Sequence, residues 1–132
     1  MLCQENDTAS SSERIIVAED DCGFRGLLST VVAESTGMEV QPAVDGIDAL
    51  QRLQDGPGAR VLLLDVDMPR MDGLGVLRAL EQREGLSIIV MSAVDHRQQA
   101  FELGCDDYLA KPFDLQDLDE KLGYWLKHPR VA

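Results

Sequence analysis

With 132 residues, the chain has room for one domain and little for a second. Its 12 basic and 24 acidic side chains leave a net charge of -12, which disfavours nucleic acid or anionic lipid as a direct partner and suits divalent cations and basic protein surfaces. A hydrophobic content of 45% supports a packed core, while no apolar run approaches a membrane span and the start carries no signal-peptide apolar stretch.

Residues 1–13 are polar and serine-rich, and are expected to form a disordered tail. The run Ile15-Ile16-Val17-Ala18 then reads as a first strand. From Asp21 the apolar positions Phe24, Leu27, Leu28, Val31 and Val32 fall on one helix face, and Gly37 ends that helix. A weaker strand runs near Glu39 to Val44. Its Pro42 lacks the N–H a central ladder needs, so the strand is assigned to an edge. Ile47, Leu50 and Leu53 mark a second helix, closed by Gly56-Pro57-Gly58.

Val61 to Leu64 is a third strand of four consecutive aliphatics. Leu74, Leu77 and Leu80 mark a third helix that ends before Gly85, with Asp72 as its cap and Gly73 easing the turn. Ser87 to Met91 is a fourth strand, and Asp95 to Leu103 a short helix stopped by Gly104. Tyr108-Leu109-Ala110 is a fifth strand, brief enough for an edge. Leu115, Leu118, Leu122 and Trp125 give a last helix, stopped by Pro129. Five βα units with apolar strands predict an α/β domain over 14–127, built on a parallel sheet covered on both faces. The two weakest strands suit the edges of the order 2-1-3-4-5. Residues 128–132 are assigned to a tail.

Ligands of open α/β sheets bind at the carboxyl ends of the strands. Glu19, Asp20 and Asp21 follow the first strand, Asp65 the third, Ser92 the fourth and Lys111-Pro112 the fifth. One crevice is therefore expected to hold several carboxylates, a hydroxyl and an ammonium. Clustered carboxylates repel unless a cation joins them, and oxygen-only ligands favour Mg²⁺, Mn²⁺ or Ca²⁺ over zinc. A lysine and a hydroxyl opposite such a cation are what a phosphoryl group needs, and a carboxylate in that setting can be its acceptor. Asp21 fits a helix cap better than a ligand, and Asp106-Asp107 fits a solvated turn. Cys3, Cys22 and Cys105 are odd in number and lack metal-type spacing. They read as reduced thiols of a cytoplasmic protein.

Four motifs, in order, carry a family resemblance: Glu19-Asp20, the stretch LLLDVDMPRMDG, Ser92-Ala93 and the run from Gly104 to Phe113. Over about residues 14–127 the chain resembles the receiver domain of two-component response regulators, of the single-domain, chemotaxis-regulator type. That resemblance implies a flavodoxin-like (βα)5 three-layer sandwich. It implies that Asp65 accepts a phosphoryl group from the phosphohistidine of a sensor histidine kinase or phosphotransfer protein. Asp20 and Asp65 would ligate Mg²⁺ with the backbone carbonyl of Asp67, and Glu19 would assist. Lys111 would contact the phosphoryl oxygens. Ser92 would hydrogen-bond the phosphoryl group, and Tyr108 would change rotamer in concert, switching a surface for an unknown downstream protein or effector domain. A cis Lys111-Pro112 bond is expected with it. Such a domain assists its own phosphorylation and dephosphorylation and is otherwise no enzyme. It would be a cytoplasmic monomer or a weak phosphorylation-dependent dimer, with no direct nucleic-acid or membrane contact. Nothing after Trp125 resembles a linker, which favours a stand-alone or excised receiver.

The chain departs from the family pattern between Ser92 and Lys111, which is shorter by about one helical turn. A short or irregular fourth helix is expected there. Asp67 and Val94, two residues beyond Asp65 and Ser92, occupy positions that influence hydrolysis in receivers; apolar Val94 cannot orient a water. Two other readings compete. Asp65-Val66-Asp67, Ser92 and Lys111 also suit a haloacid-dehalogenase-type phosphatase, although that family places its nucleophile on the first strand. A flavin mononucleotide binder shares the sheet order, but Glu19-Asp20-Asp21 would repel its phosphate.

Overall fold

A computed structural model describes residues 13–130. Residues 1–12 of the expected tail 1–13, with Cys3, and residues 131–132 lie outside the described residues. Five strands, β1 (Arg14–Ala18), β2 (Glu39–Ala43), β3 (Ala59–Asp65), β4 (Ser87–Ser92) and β5 (Asp107–Ala110), alternate with five helices. These are α1 (Cys22–Thr36), α2 (Gly46–Gln54), α3 (Gly73–Ala79), α4 (Arg97–Glu102) and α5 (Leu115–Lys127). The strands pair in parallel in the order β2-β1-β3-β4-β5, as the sequence predicts. None of the described helices is long and apolar enough to cross a membrane.

The sheet separates two cores, and strand alternation decides which residue enters which. Ile15, Val17, Val61, Leu63, Ile89, Met91 and Leu109 pack under α1 and α5 with Leu28, Val32, Leu118 and Leu122. Ile16, Ala18, Leu62, Leu64, Ile88, Val90 and Tyr108 pack under α2, α3 and α4 with Ala49, Leu77 and Ala100. The alternation places Asp65, last in β3, in phase with Val61 and Leu63. Ser92, last in β4, is in phase with Ile88 and Val90 and so belongs to the opposite face.

Local signals bound α1 and start α3 where the sequence places them. The Asp21 carboxylate accepts the Phe24 N–H at 2.8 Å to cap α1. Gly37 closes the same helix in the left-handed region at φ 70°, a conformation that costs glycine little. Leu27, expected on the buried face of α1, instead stands 51% exposed. Leu28 and Val32 are enough to seat the helix, and a third apolar position simply falls outside the contact. The Asp72 cap of α3 is also present, accepting from Gly75 at 2.8 Å. Gly73 serves a different purpose from the expected one. A Cβ there would collide with the backbone carbonyl of Asp65, so glycine lets α3 start directly against the end of β3. Helix α4 is short, at six residues, in line with the expectation.

Candidate functional site at the carboxyl edge

The site grows from four strand ends. Beyond β1, Glu19 turns inward and is buried, while Asp20 stays exposed. Arg25, one turn into α1, fixes this corner by donating to the carbonyls of Glu19 at 2.9 Å and Asp20 at 3.2 Å. Asp65 is buried at the end of β3. The chain beyond it is tied down by Val66 N–H to Met91 O at 3.0 Å and Gly73 N–H to Val66 O at 2.9 Å. Asp67 lies exposed in this loop.

Lys111 comes from the far side. Its backbone N–H donates to Ser92 O at 2.8 Å, and the Lys111-Pro112 bond is cis. Its ammonium donates to Glu19 Oε1 at 2.8 Å and to Asp65 Oδ1 at 3.2 Å, and sits 5.0 Å from the centroid of the Phe24 ring. Glu19, Asp20 and Asp65 each offer a carboxylate oxygen, all within 4.8 Å of one another. Glu19 and Asp65 thus share one ammonium, with the Asp20 carboxylate beside them.

The electrostatics reflect that shortage. Burial, reinforced by the neighbouring Glu19 charge, pushes the Asp65 carboxyl up to about 6 despite the pull of Lys111. Burial would depress the Lys111 ammonium, but its hydrogen bond to Glu19 and the charges of Asp65 and Glu19 hold it above its ordinary value. A set of carboxylate oxygens with too little positive charge suits a hard divalent cation. The acidic pocket can therefore bind a metal.

A sequence model of the response regulator receiver domain matches residues 15–123. The chain belongs to the receiver domain family. Curated relatives of this receiver include the transcriptional regulatory protein PrrA of Mycobacterium leprae, 39% identical over 85% of this chain and 49% of its own. Another is the response regulator MprA of Mycobacterium ulcerans, 38% identical over 91% of this chain and 53% of its own. The chain spans about half the length of the curated relatives it matches. Among solved structures, the receiver domain of the Francisella response regulator 1452 superposes with a TM-score of 0.76 at 29% identity, covering 88% of this chain and 98% of that one. The response regulator TrrA of Thermotoga maritima, in complex with Mg²⁺-BeF, gives 0.75 at 29% identity, covering 86% and 98%. The haloacid-dehalogenase-type reading finds no support: Asp65 sits on β3, behind two complete βα units, and the family is that of receivers.

Two parts of this receiver escape sequence reasoning. Asp45, buried at the start of α2, accepts the Asp48 N–H at 2.8 Å and the Arg70 Nε at 2.6 Å. Arg70 adopts φ 66° in the β3–α3 loop, and Gly46 N–H donates to Met71 O at 3.0 Å beside it. The guanidinium bond holds the Asp45 carboxyl below the usual carboxylate range. Together these bonds clamp the loop that contains Asp67. The signal was an acid-arginine pair 25 residues apart, which spacing alone does not flag.

Asp106 and Asp107 do not form a solvated turn. Asp106 accepts from the Ile88 N–H at 2.8 Å and pairs with Arg130 at 3.0 Å. Arg130, assigned to a tail by sequence, thereby packs against the domain. Asp107 accepts from Trp125 Nε1 at 3.0 Å and Lys121 Nζ at 2.9 Å. Burial would raise the Asp107 carboxyl, but those two donors bring it below its ordinary value. Neither cysteine among the described residues takes part: Cys22 and Cys105 are free thiols, and burial pushes Cys105 up to about 12.

Ser92 and Tyr108 stand on the α4 side. The Ser92 hydroxyl donates to Val94 O at 2.7 Å, accepts from Val94 N–H at 3.2 Å, and lies 3.0 Å from His96 Nδ1. The Tyr108 hydroxyl accepts from His96 N–H at 2.9 Å and donates to Val94 O at 3.1 Å. Its ring is buried, with the Arg97 guanidinium 4.6 Å from the centroid.

Proposed function

We propose that Asp65 is the phosphoacceptor of this receiver. The reading rests on one observation: the Lys111 ammonium bridges the buried Glu19 and Asp65 carboxylates beside Asp20. The donor is a phosphohistidine on a sensor histidine kinase or a phosphotransfer protein. An Asp65 carboxylate oxygen attacks phosphorus, the P–N bond breaks with its electron pair returning to the imidazole, and an acyl phosphate forms. A carboxyl raised to about 6 is ionised at neutral pH, yet more basic than an ordinary aspartate and so a better nucleophile.

Lys111 exchanges part of its bonding to Asp65 and Glu19 for the phosphoryl oxygens, and Ser92 donates to another of them. Glu19, Asp20 and Asp65, with the Asp67 backbone carbonyl, would hold Mg²⁺, and Mn²⁺ or Ca²⁺ suits the same oxygens. When bound, the cation supplies the positive charge that the carboxylates and the incoming phosphoryl oxygens lack. Water later removes the phosphoryl group, so the domain acts on itself and releases phosphate alone. The acquired charge shifts the Ser92 loop and Tyr108 toward a second arrangement read by a downstream protein or effector domain. This would take place in the cytoplasm, in a monomer or a weak phosphorylation-dependent dimer centred on the domain 14–127.

Incubation with acetyl phosphate and Mg²⁺ tests the assignment by intact mass. One phosphoryl adduct is expected on the unaltered protein and none on Asp65→Asn. An unlabelled parent, or a label that survives the substitution, overturns it.

A further inference from the structure

Neither Ser92 nor Tyr108 is free to move alone, because both are held by one residue four positions past Ser92. A hydroxyl has one hydrogen to give. The Val94 carbonyl can only accept, and it lies 2.7 Å from Ser92 Oγ, so the Ser92 hydrogen is spent there. The Val94 N–H takes one lone pair of Ser92 Oγ. The remaining contact, His96 Nδ1 at 3.0 Å, therefore requires a proton on Nδ1, which donates to the second lone pair. The same count closes at Tyr108. Its hydrogen goes to Val94 O, and its oxygen accepts the His96 backbone N–H.

His96 thus binds Ser92 through its ring and Tyr108 through its backbone, and Val94 O receives both hydroxyl hydrogens. His96, at φ -116° and ψ 21°, has no side-chain cap to offer, and α4 begins only at Arg97. The Ser92 hydrogen points toward Val94, whereas a phosphoryl oxygen on Asp65 needs it as donor.

We propose that His96 is a positioning residue for phosphorylation: it holds the Ser92 hydroxyl in its resting orientation and must release it when the phosphoryl group is engaged. The proposal rests on Asp65 as phosphoacceptor. Removing the imidazole takes away one of the three bonds that hold the Ser92 hydroxyl, eases its turn toward the phosphoryl group and speeds labelling. An asparagine at the same position keeps the latch, since its side-chain N–H₂ can donate from close to where Nδ1 stands.

The test is a double-mutant cycle on the rate of labelling by acetyl phosphate with Mg²⁺, read by intact mass. H96A is expected to label about five-fold faster than the parent, the worth of one ordinary hydrogen bond, and H96N at close to the parent rate. The effect should vanish when Ser92 is absent, so that S92A/H96A and S92A label alike. A parent-like rate for H96A, or the same acceleration in the S92A background, overturns the proposal, because a merely structural role for His96 would not depend on Ser92. A second measurement needs no phosphorylation. In ¹⁵N spectra of the unphosphorylated protein carrying His128→Gln, so that one imidazole remains among the described residues, Nδ1 of His96 should bear the proton. An unprotonated Nδ1 overturns the proposal. A parent that takes no label removes the phosphoacceptor and the proposal with it, and the imidazole spectrum separates that failure from an error in the bonding assigned to His96.

Discussion

Asp65 carries a cost that its neighbours only partly offset. An aspartate in an unfolded chain titrates near 3.9, whereas burial and Glu19 bring this one to about 6. Between those values the folded state holds a proton that the unfolded state has lost. Stability therefore falls as pH rises through that window, and the full penalty is present above it. Asp65→Asn removes the charge, and is expected to raise the melting temperature by about 5 °C at pH 7.5 in metal-free buffer. At pH 4, where the folded carboxyl is already neutral, the gain should disappear. Thermal unfolding followed by circular dichroism checks both, and a lower melting temperature at pH 7.5 sinks the argument. The sequence exposes Asp65, Ser92 and Lys111 because each stands first or nearly first past an apolar run. It does not tell that Lys111 rests more closely on Glu19 than on Asp65. Nor does it tell that Asp106 and Asp107 are bound: their partners, Arg130, Lys121 and Trp125, lie 14 to 24 residues away, and an acid pair in a loop looks the same with or without them. His96 drew no reading from the sequence, and its use of ring and backbone together is a matter of geometry.

Between elements, the tightest constraint is where α3 meets β3. Helix start and strand end touch through Gly73, where a Cβ would drive into the Asp65 carbonyl and stand 3.0 Å from Val66 Cα. Backbone atoms at a strand end cannot step aside as a flexible side chain would. Gly73→Ala is therefore expected to cost about 1–3 kcal/mol, read as a lower urea midpoint with an unchanged slope. An unchanged midpoint would mean that the junction is looser than its geometry. A glycine after a capping aspartate looks in sequence like an aid to turning, and only the approach of the two elements reveals its other use. The shortness of α4, in contrast, was readable from the spacing of Ser92 and Lys111 set against that of the family the chain resembles. Its start at Arg97 rather than Asp95 was not: His96 stands as the cap residue, with its N–H bonded to Tyr108.

At the scale of the whole molecule, order and layering follow from a few sequence facts: aliphatic runs for β1, β3 and β4, Pro42 in β2, and the brief run Tyr108-Leu109-Ala110, which the structure extends to Asp107. Net charge bears on behaviour rather than fold. A chain at -12 attracts every cation, so binding at the acidic pocket must be told apart from general screening. Mg²⁺ is expected to stabilise the fold by about 2–3 kcal/mol at a hundred-fold excess over its dissociation constant, well beyond NaCl at the same ionic strength. The gain should shrink as pH is lowered through 6, where a proton competes for Asp65. Equal shifts from Mg²⁺ and matched NaCl in thermal melts would reduce the pocket to part of a diffuse acidic surface.

The alternation that sorts the strands into two cores has a further consequence. Asp65 belongs to the α1–α5 half of the molecule, and Ser92 and Tyr108 to the half that contains α4. Under the proposed function, the sheet is thus a partition, with the phosphoacceptor on one side and the residues expected to respond on the other. On that reading a signal would cross over the rim, at the ends of β3 and β4. Repacking deep within either half should leave the crossing intact, whereas a change of one atom at the rim can silence it.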